Sequence, residues 1–480
     1  MEEDAAFGPE SLALPPEQIQ RRVEESLRQV GLWEMRQRSP HLLSAGQTQR
    51  LALAGVLAMH PLCIVFDEAS TMLDPSGRSM LLETMQRLNR EAVTVIFITH
   101  FMEEAVVAKR MVVFSHGQVA MDGTPDEVYA KPERLAALRL DLPPAARAAA
   151  AVRASFPDLP EGLLTPVQVI AALPEYPRPA ATFPDEIPAA NKEDLPPLIE
   201  VNGLGFTYML GTPLAHRALV NVDLRVGVGE AHGLAGMTGS GKSTLMQHLN
   251  ALIYPQEGQV RVAEFNLNDP NVERRQVVRK VGLVFQNPEM QFFEHFTGDE
   301  IAYGPRQLKV EEPLAERVRW AMEQVGLDFD TYKDRPLFSL SGGERRKVAL
   351  ASTLALKPEI LLLDEPTAGL DPASRRDLLD KLLAMRDSGL TLVLSSHQMG
   401  DLARLAHDLT VFYQGRSVLT GPTVRIFEQR ETLRGYGLEP PVAAQVAAGL
   451  RAKGWPLPQG IMTAEALQAA VAQALQGVDR

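Results

Sequence analysis

A glycine-rich run that ends in lysine and serine carries the most specific chemistry in this sequence. Residues 236–244 read GMTGSGKST, follow a short apolar segment and precede a helical one. Glycines let backbone N–H groups wrap phosphates, Lys242 reaches the outer phosphates, and the Ser243 hydroxyl can bind Mg²⁺. The predicted ATP-binding residues of this run are Gly236, Thr238, Gly239, Ser240, Gly241, Lys242, Ser243 and Thr244.

Two carboxylates follow the predicted strand 359–363, in which residues 360–363 are all apolar. Such a run is typical of a buried strand in a parallel sheet, and side chains at its carboxyl end face the ligand crevice. We interpret Asp364 as the partner of Mg²⁺, directly or through water. Glu365 would orient and activate the attacking water.

Two further polar residues end predicted strands. His397 follows the apolar run 390–394, and Gln286 follows 281–285. His397 is predicted to contact the terminal phosphate or the water, and Gln286 to reach the metal or the water. A structural role is the alternative for each residue.

The chain repeats itself at an offset of 296 to 298 positions, so it contains two copies of one unit. Residues 198–297 of the second copy have no counterpart in the first copy. Seven prolines in 174–197 favour an extended linker between the copies. The matched pairs include 43–47 with 340–344, 66–68 with 363–365, 99–100 with 396–397, and 159–165 with 457–463.

The predicted fold class is α/β, with tandem P-loop nucleotide-hydrolase domains and small helical carboxyl-terminal extensions. Thr165 and Thr463 are predicted to cap helices of these extensions. The predicted boundaries are a truncated first domain 1–140, its extension 141–173, the proline-rich linker 174–197, a complete second domain 198–435 and its extension 436–480.

Composition narrows the functional classes. With 480 residues the chain can form several cores, and no apolar run reaches the roughly 18 to 20 residues of a membrane span. The acidic amino terminus lacks signal-peptide features, which favours the cytoplasm. The net charge of −12 argues against a nucleic-acid partner. Cys63 lies in an apolar run and is predicted to be a core residue.

Three segments of copy two resemble the motifs of ATP-binding-cassette (ABC) ATPases: 340–344 the signature, 364–372 the Walker B motif and D-loop, and His397 the switch histidine. The resemblance implies ATP hydrolysis with Mg²⁺ by a head-to-tail pair of cassettes. Each ATP then lies between the phosphate loop of one cassette and the signature of the other. Tyr208 fits the aromatic residue that stacks on adenine. The remaining implied residues are the signature positions Ser44, Gly46, Gln47, Ser341, Gly343 and Glu344, the D-loop residues Asp74 and Asp371, and the copy-one Walker B and switch residues Asp67, Glu68 and His100.

A narrower resemblance is to the paired ATPases of energy-coupling factor (ECF) transporters. It rests on 286–289 and 302–305 in copy two and on 6–9 and 67–75 in copy one. It implies a bacterial or archaeal importer of vitamins or of cobalt or nickel ions. The ATPase would dock peripherally on the cytoplasmic face of the plasma membrane. Its partners would be a transmembrane coupling protein and a membrane substrate-binding protein. In this family the carboxyl-terminal extension helps to hold the pair together, and an alanine-rich surface helix is the alternative.

Copy one departs from the family pattern. It has no phosphate loop, adenine-stacking aromatic or glutamine loop, and Ala45 replaces a signature glycine. The phosphate loop of copy two with Ser44 and Gly46 would then form one near-complete site. Either the chain is a fragment or it is a degenerate one-site ATPase. A sheet without its first strands is expected to expose apolar surface.

Two other functions remain as alternatives to the importer. Tandem ABC ATPases without membrane spans also act on ribosomes, but they would be expected to have a charged helical linker and basic surfaces. A catalytically impaired fragment is the other alternative.

Overall fold

The chain divides into two compact units, and the boundary between them falls between Val107 and Ala108. The computed structural model describes residues 1–43, 45–70, 73, 75–177 and 197–476. Ser44, Asp74 and most of the predicted linker 174–197 lie outside the described residues. The domain boundaries drawn from the sequence stay predictions.

The first unit contains a two-stranded parallel sheet packed against helices. Cys63 pairs with Thr94, and Asp67 pairs with Ile98. Ile64 and Phe66 point into a core shared with the helices. The elements are α1 (Glu2–Ser11), α2 (Pro16–Gln29), α3 (Ala45–Ala58), β1 (Cys63–Asp67), α4 (Pro75–Arg90), β2 (Thr94–Ile98) and α5 (Met102–Ala105), with 3₁₀ turns at Trp33–Met35 and Pro40–Leu42.

One face of this small sheet is exposed. Val65, Ile96 and Ile98 are 60%, 50% and 51% exposed. Because alternate residues of a strand share a face, Cys63 lies on the same side of β1 as Val65 and is also exposed. The prediction that Cys63 is a core residue is therefore wrong, whereas the expectation of exposed apolar surface is confirmed.

The second unit is built on a six-stranded sheet in the order β10-β11-β12-β7-β13-β14, in which only β14 is antiparallel to its neighbour. A four-stranded antiparallel sheet has the order β6-β5-β8-β9, and β3 and β4 form a separate hairpin. The strands are β3 (Met111–Ser115), β4 (Gln118–Gly123), β5 (Ile199–Tyr208), β6 (His216–Val226), β7 (Ala231–Gly236), β8 (Glu257–Val262), β9 (Phe265–Asn266), β10 (Val281–Val284), β11 (Ile360–Asp364), β12 (Thr391–Ser396), β13 (Asp408–Tyr413) and β14 (Arg416–Pro422).

Helices cover both faces of the six-stranded sheet, so β7, β11 and β12 are buried along their whole length. The helices are α6 (Pro125–Tyr129), α7 (Pro132–Ala137), α8 (Pro144–Arg153), α9 (Pro166–Ala172), α10 (Lys242–Leu249), α11 (Arg274–Lys280), α12 (Thr297–Gln307), α13 (Leu314–Gln324), α14 (Phe329–Tyr332), α15 (Gly342–Leu354), α16 (Pro372–Asp387), α17 (Met399–Leu405), α18 (Thr423–Glu428), α19 (Arg430–Gly435), α20 (Val442–Ala452) and α21 (Ala464–Gln476), with 3₁₀ turns at Pro288–Gln291 and Leu337–Ser339. Among the helices of the described residues, none combines the length and apolar character of a bilayer span.

The extensions of the two copies share one hydrophobic core within the second unit. Val152 and Val169 from copy one pack there with Val446, Leu467 and Trp455 from copy two. The core is closed by hydrogen bonds between the copies. Trp455 Nε1 donates to Pro174 O at 2.9 Å, and Lys453 Nζ donates to Leu173 O at 2.6 Å. The extensions are thus paired with each other rather than lying alone on the surface.

Both predicted caps begin helices of this shared core. Thr165 forms a capping box with Gln168 at the start of α9. Thr463 Oγ1 accepts a hydrogen bond from Ala466 N at 3.2 Å at the start of α21. The two cap predictions are confirmed.

Candidate functional site

The phosphate loop connects the buried strand β7 to helix α10, as its pattern predicts. Gly236, Gly239 and Gly241 have φ values of +153°, +78° and +109°. An added Cβ would lie 2.5 Å from Phe412 O at Gly236 and 2.7 Å from Leu219 Cδ2 at Gly241. A Cβ added at Gly239 would have no atom within 4 Å, so at this position only the left-handed backbone favours glycine. The loop is therefore closely packed at its two ends and open at its middle.

Two polar side chains of the loop fit an anionic ligand. The buried Lys242 Nζ donates to Gly236 O at 2.7 Å and to Met237 O at 3.1 Å, within the loop itself. Ser240 Oγ is buried and has no hydrogen-bond partner among the described residues. A hydroxyl without a partner next to a buried ammonium group suits a phosphate oxygen.

The predicted adenine-stacking residue lies beside the same helix. The Tyr208 hydroxyl is 3.2 Å from both Thr244 Oγ1 and Gln247 Oε1 of α10. Its ring packs edge-on against Phe206, with centroids 4.9 Å apart. Tyr208 is thus held at the phosphate-loop helix, and its stacking role stays a prediction.

Asp364 ends β11 next to the loop and is buried. Its Oδ1 accepts a hydrogen bond from Ser395 Oγ at 2.5 Å. Burial raises the pKa of Asp364, although hydrogen bonds from Ser243 and Ser395 oppose that rise. Hydroxyl and carboxylate oxygens are the ligands that Mg²⁺ prefers, and a cation would relieve the cost of the buried charge. Ser243 and Asp364 therefore fit the Mg²⁺ that ABC ATPases are expected to use.

Glu365 follows directly and is paired with the predicted switch histidine. His397 Nδ1 lies 2.8 Å from Glu365 Oε2, and both side chains are less than a tenth exposed. Burial raises the pKa of Glu365, but the hydrogen bond with His397 and the charges of His397 and Lys242 outweigh it, so the net pKa is lowered. Glu365 is therefore an ionised carboxylate at neutral pH, as a general base must be.

Backbone contacts fix Glu365 in an uncommon conformation. Its φ is +47°, in the left-handed region that side chains other than glycine rarely adopt. Its N–H donates to Ser395 Oγ at 3.0 Å and to Ser395 O at 3.2 Å. Ser395 therefore holds both carboxylate residues, a role that the sequence analysis missed although the residue stands two positions before His397.

Gln286 lies just beyond β10, which pairs with β11 through Val284 and Leu363. This register brings Gln286 and Asp364 to the same edge of the sheet. The carbonyl of Gln286 accepts a hydrogen bond from Arg346 Nη2 at 2.9 Å. Ligation of a metal by the Gln286 side chain stays a prediction.

The signature and D-loop residues of copy two begin helices. Ser341 caps α15 in a reciprocal box with Glu344, whose Oε2 accepts a hydrogen bond from Ser341 N at 2.7 Å. Asp371 caps α16, and Ser374 donates to it at 2.5 Å. Burial raises the pKa of Asp371, but the hydrogen bonds from Ser374 and Ala373 outweigh burial, so the net pKa is lowered. Contacts of Ser341, Gly343, Glu344 and Asp371 with ATP stay predictions.

The corresponding acids of copy one are more open. Glu68 repeats the φ of +47°, but its carboxylate is 52% exposed and lies 3.5 Å from His100 Nδ1. Asp67 is exposed as well. In copy two the phosphate loop and α10 cover these positions, whereas the described part of residues 1–107 contains no counterpart of either. The roles of Gly46 and Gln47 stay predictions, and Ser44 and Asp74 lie outside the described residues.

A family profile and several named proteins match this sequence. A family profile described as "ABC transporter" matches residues 2–71 and 219–368. A protein of Methanosarcina mazei named as an ABC transporter ATP-binding protein is 34% identical over 482 residues, covering 98% of this chain and 80% of that protein. The energy-coupling factor transporter ATP-binding protein EcfA2 of Clostridium perfringens is 43% identical over 267 residues, 55% of this chain and 94% of that protein.

A solved structure is also similar. It is titled as CbiO1 of Clostridium perfringens, part of the ABC transporter complex CbiONQ. The sequence identity is 28% and the TM-score 0.44, over 50% of this chain and 94% of that one.

Proposed function

This chain belongs to the family of ABC transporter ATP-binding proteins, and from that premise we propose that it energises an importer of the energy-coupling factor type. It is an ATPase with two ABC regions. The observation that carries the hydrolytic part of the proposal is the buried Glu365–His397 pair beside the phosphate loop. The likeness of copy two to EcfA2 proteins supports the importer class. Vitamins and cobalt or nickel ions are the proposed cargo classes.

In the proposed reaction, different side chains of copy two bind the phosphates, bind the metal ion and orient the water. Lys242 and Ser240 bind the phosphates. Ser243 and Asp364 would hold Mg²⁺, which would supply positive charge to the phosphate oxygens. Glu365 accepts a hydrogen bond from the attacking water and orients it in line with the terminal phosphate. His397 keeps Glu365 ionised and fixes its direction.

An exposed apolar surface next to Gln286 supports docking on a membrane partner. We define the apolar surface as Met290, Phe293, Phe296 and Phe338, which are 80%, 71%, 45% and 84% exposed. The two segments that contribute it are adjacent, since Phe296 bridges to Pro336 and Leu337 N donates to His295 O at 2.9 Å. Contiguous exposed apolar groups mark protein interfaces.

The partner of this surface is proposed to be a transmembrane coupling protein that works with a membrane substrate-binding protein. The chain itself would then lie peripherally on the cytoplasmic face of the membrane. Movement of the phosphate-binding residues on ATP binding would reach the apolar surface through the short segment that follows Gln286.

Co-purification from membranes tests the proposal. The Phe293→Ser and Phe338→Ser double variant should lose the membrane partner and keep its ATPase activity, because neither side chain touches the phosphate site. Phe114→Ser, at an equally exposed phenylalanine of β3, is the matched control and should retain the partner. A double variant that retains the partner, or a wild-type chain that sediments with ribosomes instead, would contradict the importer proposal.

A further inference from the structure

Arg346 is a buried arginine that the motifs leave without a role. It lies on α15, five positions after Ser341, and is 7% exposed. Its hydrogen bonds all go to main-chain carbonyl oxygens. Nη1 donates to Glu365 O at 3.2 Å, and Nη2 donates to Gln286 O at 2.9 Å and to Ala368 O at 3.0 Å. One guanidinium thus joins the loop after β10 to the loop after β11.

A buried guanidinium without a bonded carboxylate is costly. Burial lowers the pKa of Arg346 to about 10, and the charge of Glu365 only partly opposes this. The group is still charged at neutral pH, so its desolvation has to be offset by the three carbonyl bonds. Such an arrangement is expected where a fixed backbone geometry matters.

The residue that most needs a fixed backbone is Glu365. Its left-handed φ is uncommon, and its carboxylate has to point at His397. Arg346 holds the carbonyl of Glu365 itself, while Ser395 holds its N–H. The peptide groups on both sides of Glu365 are therefore anchored, and the same guanidinium anchors Gln286.

Copy one shows that the helix alone does not require this arginine. The repeat register places Gln49 at the position of Arg346, and α3 forms with Gln49 in place. An amide has two N–H donors, whereas a guanidinium has five in a fixed fork. Arginine thus occupies this position in the copy that has the phosphate loop, and glutamine occupies it in the copy that does not.

We propose that Arg346 is a positioning residue for ATP hydrolysis, which holds the main chain of Glu365 and Gln286 in the reactive arrangement. The inference rests on the base role proposed for Glu365. Because the hydrogen bonds of Arg346 go neither to Lys242 nor to the phosphate loop, its loss should slow turnover and leave ATP binding intact.

The test compares Arg346→Gln, Arg346→Lys and Arg346→Ala with Arg317→Gln in the full chain. Arg317, on α13, is a matched control because it is 6% exposed and donates to Glu312 at 2.7 Å rather than to Glu365 or Gln286. We measure kcat, the Kd for MgATP and the thermal midpoint. Arg346→Gln should lower kcat about 10- to 100-fold at a Kd within about twofold of the wild type.

Two further measurements separate positioning from loss of stability. Added guanidinium ion at millimolar concentration should restore part of kcat in Arg346→Ala and none in Glu365→Gln. Arg346→Lys should be intermediate, since one ammonium group cannot span three carbonyls. If Arg346→Gln does not fold, the kcat of Arg346→Lys and the effect of guanidinium on Arg346→Ala still decide whether Arg346 is a positioning residue.

Three results would overturn the inference. They are an unchanged kcat in Arg346→Gln, an equal loss of kcat in Arg317→Gln, and a loss of ATP affinity that matches the loss of kcat. If Glu365→Gln hydrolysed ATP at the wild-type rate, the base assignment would fail independently of Arg346.

Discussion

Two adjacent carboxylates of copy two have opposite pKa shifts, although both are buried. Burial outweighs the hydrogen bonds from Ser243 and Ser395, so the pKa of Asp364 rises. The charge of Glu365 adds to this rise, and the charge of Lys242 opposes it. Glu365 faces His397 and Lys242, whose hydrogen bond and charges outweigh burial and lower its pKa. Groups whose environments separate their pKa values take different roles. Asp364 suits a cation, and Glu365 suits the attacking water.

At this residue scale, the pH dependence of turnover tests the pairing with His397. In the wild type the lowered pKa keeps Glu365 ionised to a pH below the ordinary carboxylate value. His397→Ala removes the hydrogen bond that opposes burial, so the pKa of Glu365 should rise. The acid limb of the kcat profile should then move to higher pH.

Steady-state ATPase assays between about pH 3.5 and 8, a range that extends below the ordinary carboxylate pKa, measure this shift. Arg404→Ala, at a partly buried arginine bonded to Asp380, is the control and should leave the limb in place. A His397→Ala variant with lower kcat but the wild-type acid limb would show that His397 does not set the ionisation of Glu365.

At the scale of elements, the same pair of strands occurs twice in different surroundings. In copy two, β11 and β12 are covered on both faces, and Leu362 and Val393 pack with α10 and the antiparallel sheet. In copy one, the register places Val65 and Ile96 at these positions, on the exposed face of β1 and β2. Apolar residues at matching positions of these strands are thus buried in the copy that has segment 198–297 and exposed in the copy that lacks it.

This difference predicts unequal effects of matched alanine substitutions. Leu362→Ala should lower the free energy of unfolding by roughly 2 to 5 kcal/mol, because it leaves a cavity in a closed core. Val65→Ala should change it by less than about 0.5 kcal/mol, since the side chain is already exposed. Denaturant unfolding followed by circular dichroism gives both values. Equal losses would mean that the face of β1 is covered in solution.

The sequence predicted the parts of this protein that local patterns specify. Glycine spacing identified the phosphate loop, and strand ends brought Asp364, Glu365 and His397 together. Long-range partners were not predictable in the same way. The three carbonyls held by Arg346 come from segments 19 to 60 positions away. The exposure of Cys63 depends on what covers β1, which no local pattern encodes.

At the scale of the whole molecule, the extension of copy one packs directly on that of copy two within the second unit. Trp455 is buried at their centre, with Phe156 and Tyr176 in edge contact at 5.5 and 5.2 Å. Small alanines on α8 and α21 let the helices approach closely. The expectation that the extensions hold the copies together is therefore supported by a shared core.

A cleavage experiment tests this contact. A protease site inserted within 178–196 and cut after purification should leave the two fragments associated in size-exclusion chromatography. Trp455→Ala should separate them or weaken their association, because truncating a buried tryptophan costs roughly 3 to 5 kcal/mol. Val167→Ala, at a 75% exposed residue of α9, is the control. Separation of the wild-type fragments on cutting would contradict the expectation.

The shared core of the extensions has a kinetic consequence for a chain that carries both halves. When two binding segments are joined covalently, each meets the other at an effective concentration of about millimolar, whatever the concentration of the protein. Dilution, which dissociates ATPases made of separate subunits, should then leave the extensions of this chain paired. Reassociation after any transient opening would be a first-order process.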